Sequence, residues 1–166
     1  MKRFFQHIIA SLLLLFAYPS MAQTVGYSYK ALAAEGCSME YSVVKQDSAY
    51  YIIATVRSDR MNFLNESTMK IRTFNDDVIT LKGKVIGGGS QSAGIVSGYI
   101  VIPVTEISST AQFAITPEEL EMLNSGVSKV RLSMTPMDHE RTFAKDKIGK
   151  KLYQFYLKAK AKDDDF

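Results

Sequence analysis

The stretch from Phe113 to Thr135, FAITPEELEMLNSGVSKVRLSMT, constrains the fold more than any other part of the chain. Thr116 reads as a helix N-cap. Pro117 suits the first helical position, because its missing N–H would have no partner there. Glu119 completes a capping box with Thr116, and Glu118, Glu119 and Glu121 favour the positive end of the helix dipole. Leu120 and Leu123 face a core, and Gly126 can take the positive φ that stops the helix. From Val127 to Thr135, Val130, Leu132 and Met134 alternate with Lys129, Arg131 and Ser133, the pattern of a half-buried strand. A helix over about 117–125 is too short to stand alone. It must lie against a sheet.

The remaining chain supplies strands. Met39–Lys45 and Tyr50–Arg57 flank Gln46-Asp47-Ser48 and read as a hairpin. Ser58–Ser67 reads as a polar loop. Met69–Phe74 is a further strand, turned by Asn75-Asp76-Asp77, whose short side chains bond their own backbone. Val78–Ile86 follows, with Gly83 as a candidate bulge. Gly87–Gly94 reads as a flexible loop, and Ile95–Val104 as a strand buried on both faces and ended by Pro103. Gln23–Gly36 fits a strand or a helical turn, and Pro136–His139 reads as a turn. Ile148, Leu152, Phe155, Tyr156 and Ala159 fall on one face of a helix over about 145–160, weakened by Gly149. The expected fold class is α+β: a largely antiparallel sheet of six to seven strands, a short capped helix and a C-terminal amphipathic helix, with room for one parallel crossover after the short helix.

The two ends of the chain stand apart from this body. Lys2 and Arg3, the apolar run Phe4–Phe16 and Ser20-Met21-Ala22 have the order of a signal peptide, so residues 1–22 are expected to be removed. Residues 23–162 then form one domain, and 163–166 an acidic tail. No transmembrane segment is expected after cleavage, and the location is expected to be periplasmic or secreted. Losing Lys2 and Arg3 leaves 18 basic and 17 acidic side chains. That balance does not call for a polyanionic partner, and nucleic acid is not expected. Cys37 is the only cysteine. With no intrachain disulfide possible, the fold must rest on its core. Cys37 itself reads as a small buried residue.

No motif converges on catalysis, so no catalytic residue, metal site or cofactor is assigned. His139 is the one histidine beyond the leader, which rules out a Cys/His zinc set within the chain. Asp138-His139-Glu140 reads as an exposed turn. Ser42-Val43-Val44-Lys45 and Ser67-Thr68-Met69-Lys70 match a Ser-x-x-Lys pattern but fall in strands, where residues three apart face opposite sides. Gly87–Gly94 lacks the Gly-Lys-Ser/Thr ending of a phosphate loop. Lys147, Lys150, Lys151 and Lys158 read as a solvated helix face. Tyr41, Tyr50, Tyr51 and Tyr99 are the candidate ligand-binding aromatics, against the commoner role of tyrosine in core and edge packing.

The leader MKRFFQHIIASLLLLFAYPSMAQ resembles those of secreted proteins of Bacteroidetes. ITPEELEMLNSGVSKVRL and FAKDKIGKKLYQFY are similar to segments of small periplasmic proteins of unknown function from that phylum. The resemblance carries no catalytic residue. The expected function is that of an exported, non-enzymatic envelope protein that binds a protein or small-molecule partner. The alternatives are a small secreted hydrolase using carboxylates such as Asp59, Asp76 or Asp77, and an inhibitor of a secreted enzyme.

Overall fold

The computed structural model describes residues 23–31, 34–59, 62–97 and 99–161. The expected leader and acidic tail lie outside them. Among the described residues, one sheet contains β1 (Val25–Ala31), β2 (Ala34–Gln46), β3 (Ala49–Ser58), β4 (Phe63–Thr73), β5 (Val78–Ser97), β6 (Ile100–Ile115), β7 (Val127–Thr135) and β8 (His139–Thr142). The spatial order is β1-β2-β3-β6-β5-β4-β7-β8. Every neighbouring pair is antiparallel, so the short helix leads into no parallel crossover. The helices are α1 (Pro117–Met122), continued by a 3-10 turn at Leu123–Ser125, and α2 (Gly149–Ala161).

The capping box forms as its sequence requires. The Glu119 N–H donates to Thr116 Oγ1 at 3.2 Å, and the Thr116 N–H donates to Glu119 Oε2 at 3.0 Å. Gly126 takes φ 82°. The β2–β3 hairpin also forms, with Gln46 opposite Ala49 and Asp47 at positive φ.

The sheet is larger than six or seven strands, at eight. The ambiguous Gln23–Gly36 segment becomes β1 and the start of β2, and His139–Thr142 adds β8 beside β7. Part of the expected Ser58–Ser67 loop is strand, because β4 starts at Phe63 and bulges between Leu64 and Met69. The glycine segment is not a loop. Gly87, Gly88 and Gly89 pair with Thr110, Ser109 and Ser108, which carries β5 straight on to Ser97. Ile95–Val104 is therefore not one buried strand but the end of a hairpin. Tyr99 is fully exposed at its tip, and Ile100 and Val101 are 66% and 63% exposed. The register shift in β5 falls between Val85 and Gly87 and not at Gly83. Gly83 is instead a close approach, where a Cβ would run into the Gln112 carbonyl.

Alternate residues of the strands point to one side, as a two-residue period requires. Met39, Tyr41, Ile52, Ala54, Val56, Met69, Ile71, Ala111, Phe113, Val130 and Leu132 are all fully buried there. The sheet curls into a half-barrel around them. α2 packs on β2 and on the 3-10 turn, closing the concave side with Leu152 and Tyr156, joined by Ile148 just before the helix. Burying an aliphatic side chain of this size contributes about 1.5–3 kcal/mol.

Asp146 fixes where α2 begins. Its Oδ1 accepts from the Val127 N–H at 2.9 Å and the Gly149 N–H at 2.8 Å, and its Oδ2 accepts from the Lys150 N–H at 3.0 Å. One carboxylate thus caps the helix and ties it to the first residue of β7. The helix starts at Gly149 and not at Lys145 for this reason. Gly149 also permits the contact, since a Cβ there would lie 2.5 Å from the Val127 nitrogen. Placed at the helix start, Gly149 does not interrupt the helix interior.

Partial burial pushes the Asp146 carboxyl up, but N–H donation from Val127, Lys150, Gly149 and Ile148 outweighs it and holds the group below its ordinary value. Its stabilising effect is complete above the unfolded carboxylate value near ~4 and is lost as pH falls through the lower folded value. Asp146→Ala is expected to lower the unfolding free energy by about 1–2 kcal/mol at neutral pH. In urea melts the gap to the parent chain should close as pH falls below about 4. A gap that is constant across that range would contradict the role given to Asp146.

Candidate functional site

The structure does not gather the candidate tyrosines on one exposed face. Tyr41 is fully buried and Tyr50 is 8% exposed, because both follow the parity that points into the core. The Tyr50 ring meets the Tyr156 ring edge-on, with centroids 5.1 Å apart. Tyr51 is half-buried on the opposite side of β3, and Tyr99 stands at the hairpin tip. The carboxylates named for a hydrolase are also spread out. Asp59 follows β3, while Asp76 and Asp77 turn the chain between β4 and β5 at the opposite end of the sheet. Among the described residues, no group of three or more His, Cys, Asp or Glu side chains could hold a metal ion.

Asp138-His139-Glu140 is not an exposed turn throughout. His139 is 8% exposed and opens β8 facing inward. Asp138 and Glu140 diverge from it toward Arg131 and Lys129. His139 belongs to a polar cluster that joins the two edge strands of the sheet. Its Nε2 lies 3.0 Å from the Tyr27 hydroxyl on β1, and that hydroxyl lies 3.0 Å from the Tyr41 hydroxyl. One consistent set of donors runs from Tyr41 to Tyr27 to His139. The Tyr29 ring packs on His139 with centroids 4.1 Å apart, and its buried hydroxyl has no hydrogen-bond partner among the described residues. Cys37 is buried as expected, with its Sγ 3.2 Å from Ser58 Oγ.

This cluster is set up to stay neutral. Burial lowers the His139 pKa to about 4, with Arg141 adding to the effect. Burial pushes Tyr27 up to about 12, against the hydrogen bond from Tyr41. Tyr29 and Tyr41 are raised as well, again chiefly by burial. None of these groups exchanges a proton near neutral pH, which suits a seam that holds β1 against β8.

The outer face of the sheet differs sharply. β4 carries Lys70 and Arg72, β5 carries Lys82 and Lys84, and β7 carries Lys129 and Arg131. Each pair is spaced by two residues, so both members point the same way. They point outward, because the intervening Ile71 and Val130 are fully buried, while Lys70, Arg72, Lys82, Lys84 and Arg131 are exposed. The register sets Lys70 opposite Arg131, and Arg72 opposite Lys129. Two like-charged pairs thus face each other across adjacent strands.

Among the described side chains of these strands and β8, Glu140 is the one carboxylate, and Asp138 lies just before β8. Glu140 Oε1 is 2.7 Å from Lys129 Nζ, and Asp138 Oδ2 is 2.9 Å from Arg131 Nη2. The hydrogen bond from Lys129 holds the Glu140 carboxyl below its ordinary value. A groove of about 150 Å³ is lined by Lys70, Arg72, Val78, Lys129, Arg131 and the carboxylate of Glu140. A second, of about 250 Å³, is lined by Lys70, Arg131, Thr68, Ser133 and Asp138. A quartet of cations and two carboxylates thus meet around these grooves, with Lys129 and Arg131 already paired to Glu140 and Asp138. Sequence reasoning placed Lys129 and Arg131 on a solvent face but missed the other strands. The signal was there as Lys-x-Arg at 70–72, Lys-x-Lys at 82–84 and Lys-x-Arg at 129–131.

Because His139 is neutral when folded, the unfolded chain binds the extra proton first. Stability should therefore fall as pH drops from about 6.5 to about 4, by roughly 3 kcal/mol in all, and change no further below that on account of this group. His139→Gln, which cannot titrate, should remove the slope in that window while leaving the Asp146 effect below it. An unchanged slope in denaturant melts of His139→Gln would contradict the assignment.

No helix among the described residues is long and apolar enough to cross a membrane. Compared with known proteins, the chain matches no family model, no curated protein sequence and no solved structure.

Proposed function

We propose that the protein is an exported, non-enzymatic binding protein that holds an anionic ligand on the outer face of β5, β4 and β7. The observation that carries this reading is the pair of like-charged contacts, Lys70 opposite Arg131 and Arg72 opposite Lys129. Like charges directly opposite each other on a sheet are destabilising, each pair by a few tenths of a kcal/mol up to about 1 kcal/mol. An oxyanion seated between them turns that repulsion into attraction. Asp138 and Glu140 offset part of this repulsion through Arg131 and Lys129, and an anionic ligand would offset the remainder at Lys70 and Arg72.

The repulsion gives the test its sign. Lys70→Glu places a carboxylate opposite Arg131. The free protein should become more stable by about 0.2–1 kcal/mol, while affinity for tripolyphosphate should fall at least tenfold. The parent chain should bind tripolyphosphate in calorimetry at low ionic strength, with its melting temperature raised. Both effects should shrink as salt shortens the Debye length below about 8 Å. Absence of tripolyphosphate binding at low salt, or equal binding by Lys70→Glu, would overturn the reading.

A further inference from the structure

The same face has an extent and a chemistry that specify its ligand more narrowly. We infer that it takes a linear acidic polysaccharide, a polymer bearing a carboxylate on successive sugars, laid obliquely across β5, β4 and β7. This rests on the anion-binding reading above. Strands lie about 4.8 Å apart, and alternate residues along one strand about 6.7 Å. Lys82 is level with Thr68 and Lys70 with Arg131. Lys82 and Lys70 are therefore roughly 8 Å apart on the diagonal, and Lys70 and Arg131 about 5 Å apart across the ladder. Lys84 prolongs the line away from the quartet. A single small anion reaches one group of these cations. Only an extended ligand with repeated charges uses the whole oblique row.

The side chains between the cations decide which polyanion fits. Thr68, Thr80, Ser133 and Thr142 stand on the same outward parity as the basic residues, so hydroxyls and cations are interleaved. That combination suits sugar hydroxyls and carboxylates together. Among the described outward residues of Thr68–Arg72, Val78–Lys84 and Lys129–Ser133 there is no aromatic; Phe63, opposite Thr135, and Phe74, 42% exposed after β4, lie at the ends of the strand, so single-stranded nucleic acid would find no stacking platform between the cations. A lipid surface asks for a buried apolar area beside the charge. On this face the exposed apolar side chains are Val78 (57%) beside Arg72 and Phe74 (42%) at one end of the cationic row, and Ile86 (48%) past Lys84 at the other, so they form no continuous apolar area between the cations.

The test uses purified oligogalacturonates of increasing length, with dextran as the neutral control. Polyphosphate of matched charge and phosphatidylglycerol vesicles are the competing anions. Affinity should rise at least tenfold from the dimer to an oligomer long enough to span the row, and dextran should not bind. The double variant Lys82→Ala, Lys84→Ala lies outside the quartet. It should lose most of the length dependence and weaken tripolyphosphate by a clearly smaller factor than the uronate oligomer. Length-independent binding, equal loss of both ligands in the double variant, or tighter binding of polyphosphate or vesicles than of the uronate oligomer would overturn the polysaccharide assignment. With tripolyphosphate still bound, any of these leaves the anion-binding face intact. Loss of tripolyphosphate binding in the parent chain removes both.

Discussion

The concave side of the sheet has to be shut, and the rest of the structure follows from how that is done. A curled antiparallel sheet of this width exposes a continuous apolar surface on one side and two unpaired edges. Here α2 covers the surface, and the Tyr27–His139 contact brings the edges together. Asp146 links these solutions by holding the helix to the start of β7, the strand that pairs with β8. A chain with a single cysteine reaches this closure without a covalent link. Packing and a few buried hydrogen bonds carry it.

Closing the inside leaves the outside free for function. The interior polar groups are spent on the seam. Tyr27, Tyr41 and His139 satisfy one another and stay neutral, and Cys37 sits beside Ser58. The outer face of β4, β5 and β7 has no layer over it among the described residues, and its cations are not neutralised in equal number. Self-repulsion there is tolerable because the buried side contributes far more than a few tenths of a kcal/mol per pair opposes. A rigid sheet also keeps the cations at fixed spacing, so little order has to be created when a ligand binds.

Local rules were legible wherever a few neighbouring residues decide the outcome. The Thr116–Glu119 box, the Gly126 stop and the β2–β3 hairpin are of this kind. Composition misled where pairing partners lie far off in sequence. Gly87–Gly89 looks like a loop, yet β6 lies alongside and gives each glycine a ladder partner, so the extended form wins. Ile95–Val104 looks like core, yet it turns at the end of a hairpin that runs past its neighbours. Tyr41 and Tyr50 looked available to a ligand, because parity shows which residues share a side but not which side is covered. The basic face had the same obstacle. Its three Lys/Arg pairs were visible at two-residue spacing, but only the β5-β4-β7 order shows them to be adjacent. A near-neutral net charge gave no sign of this local cluster of cations.

The most direct test of this account is a backbone amide shift map of the labelled mature protein, residues 23–166, titrated with tripolyphosphate at low salt. The account predicts changes concentrated at Thr68–Arg72, Thr80–Lys84 and Lys129–Ser133, with β1, α2 and the hairpin tip at Tyr99 unmoved. Changes centred instead on the lysines of α2, or spread evenly over the surface, would contradict it.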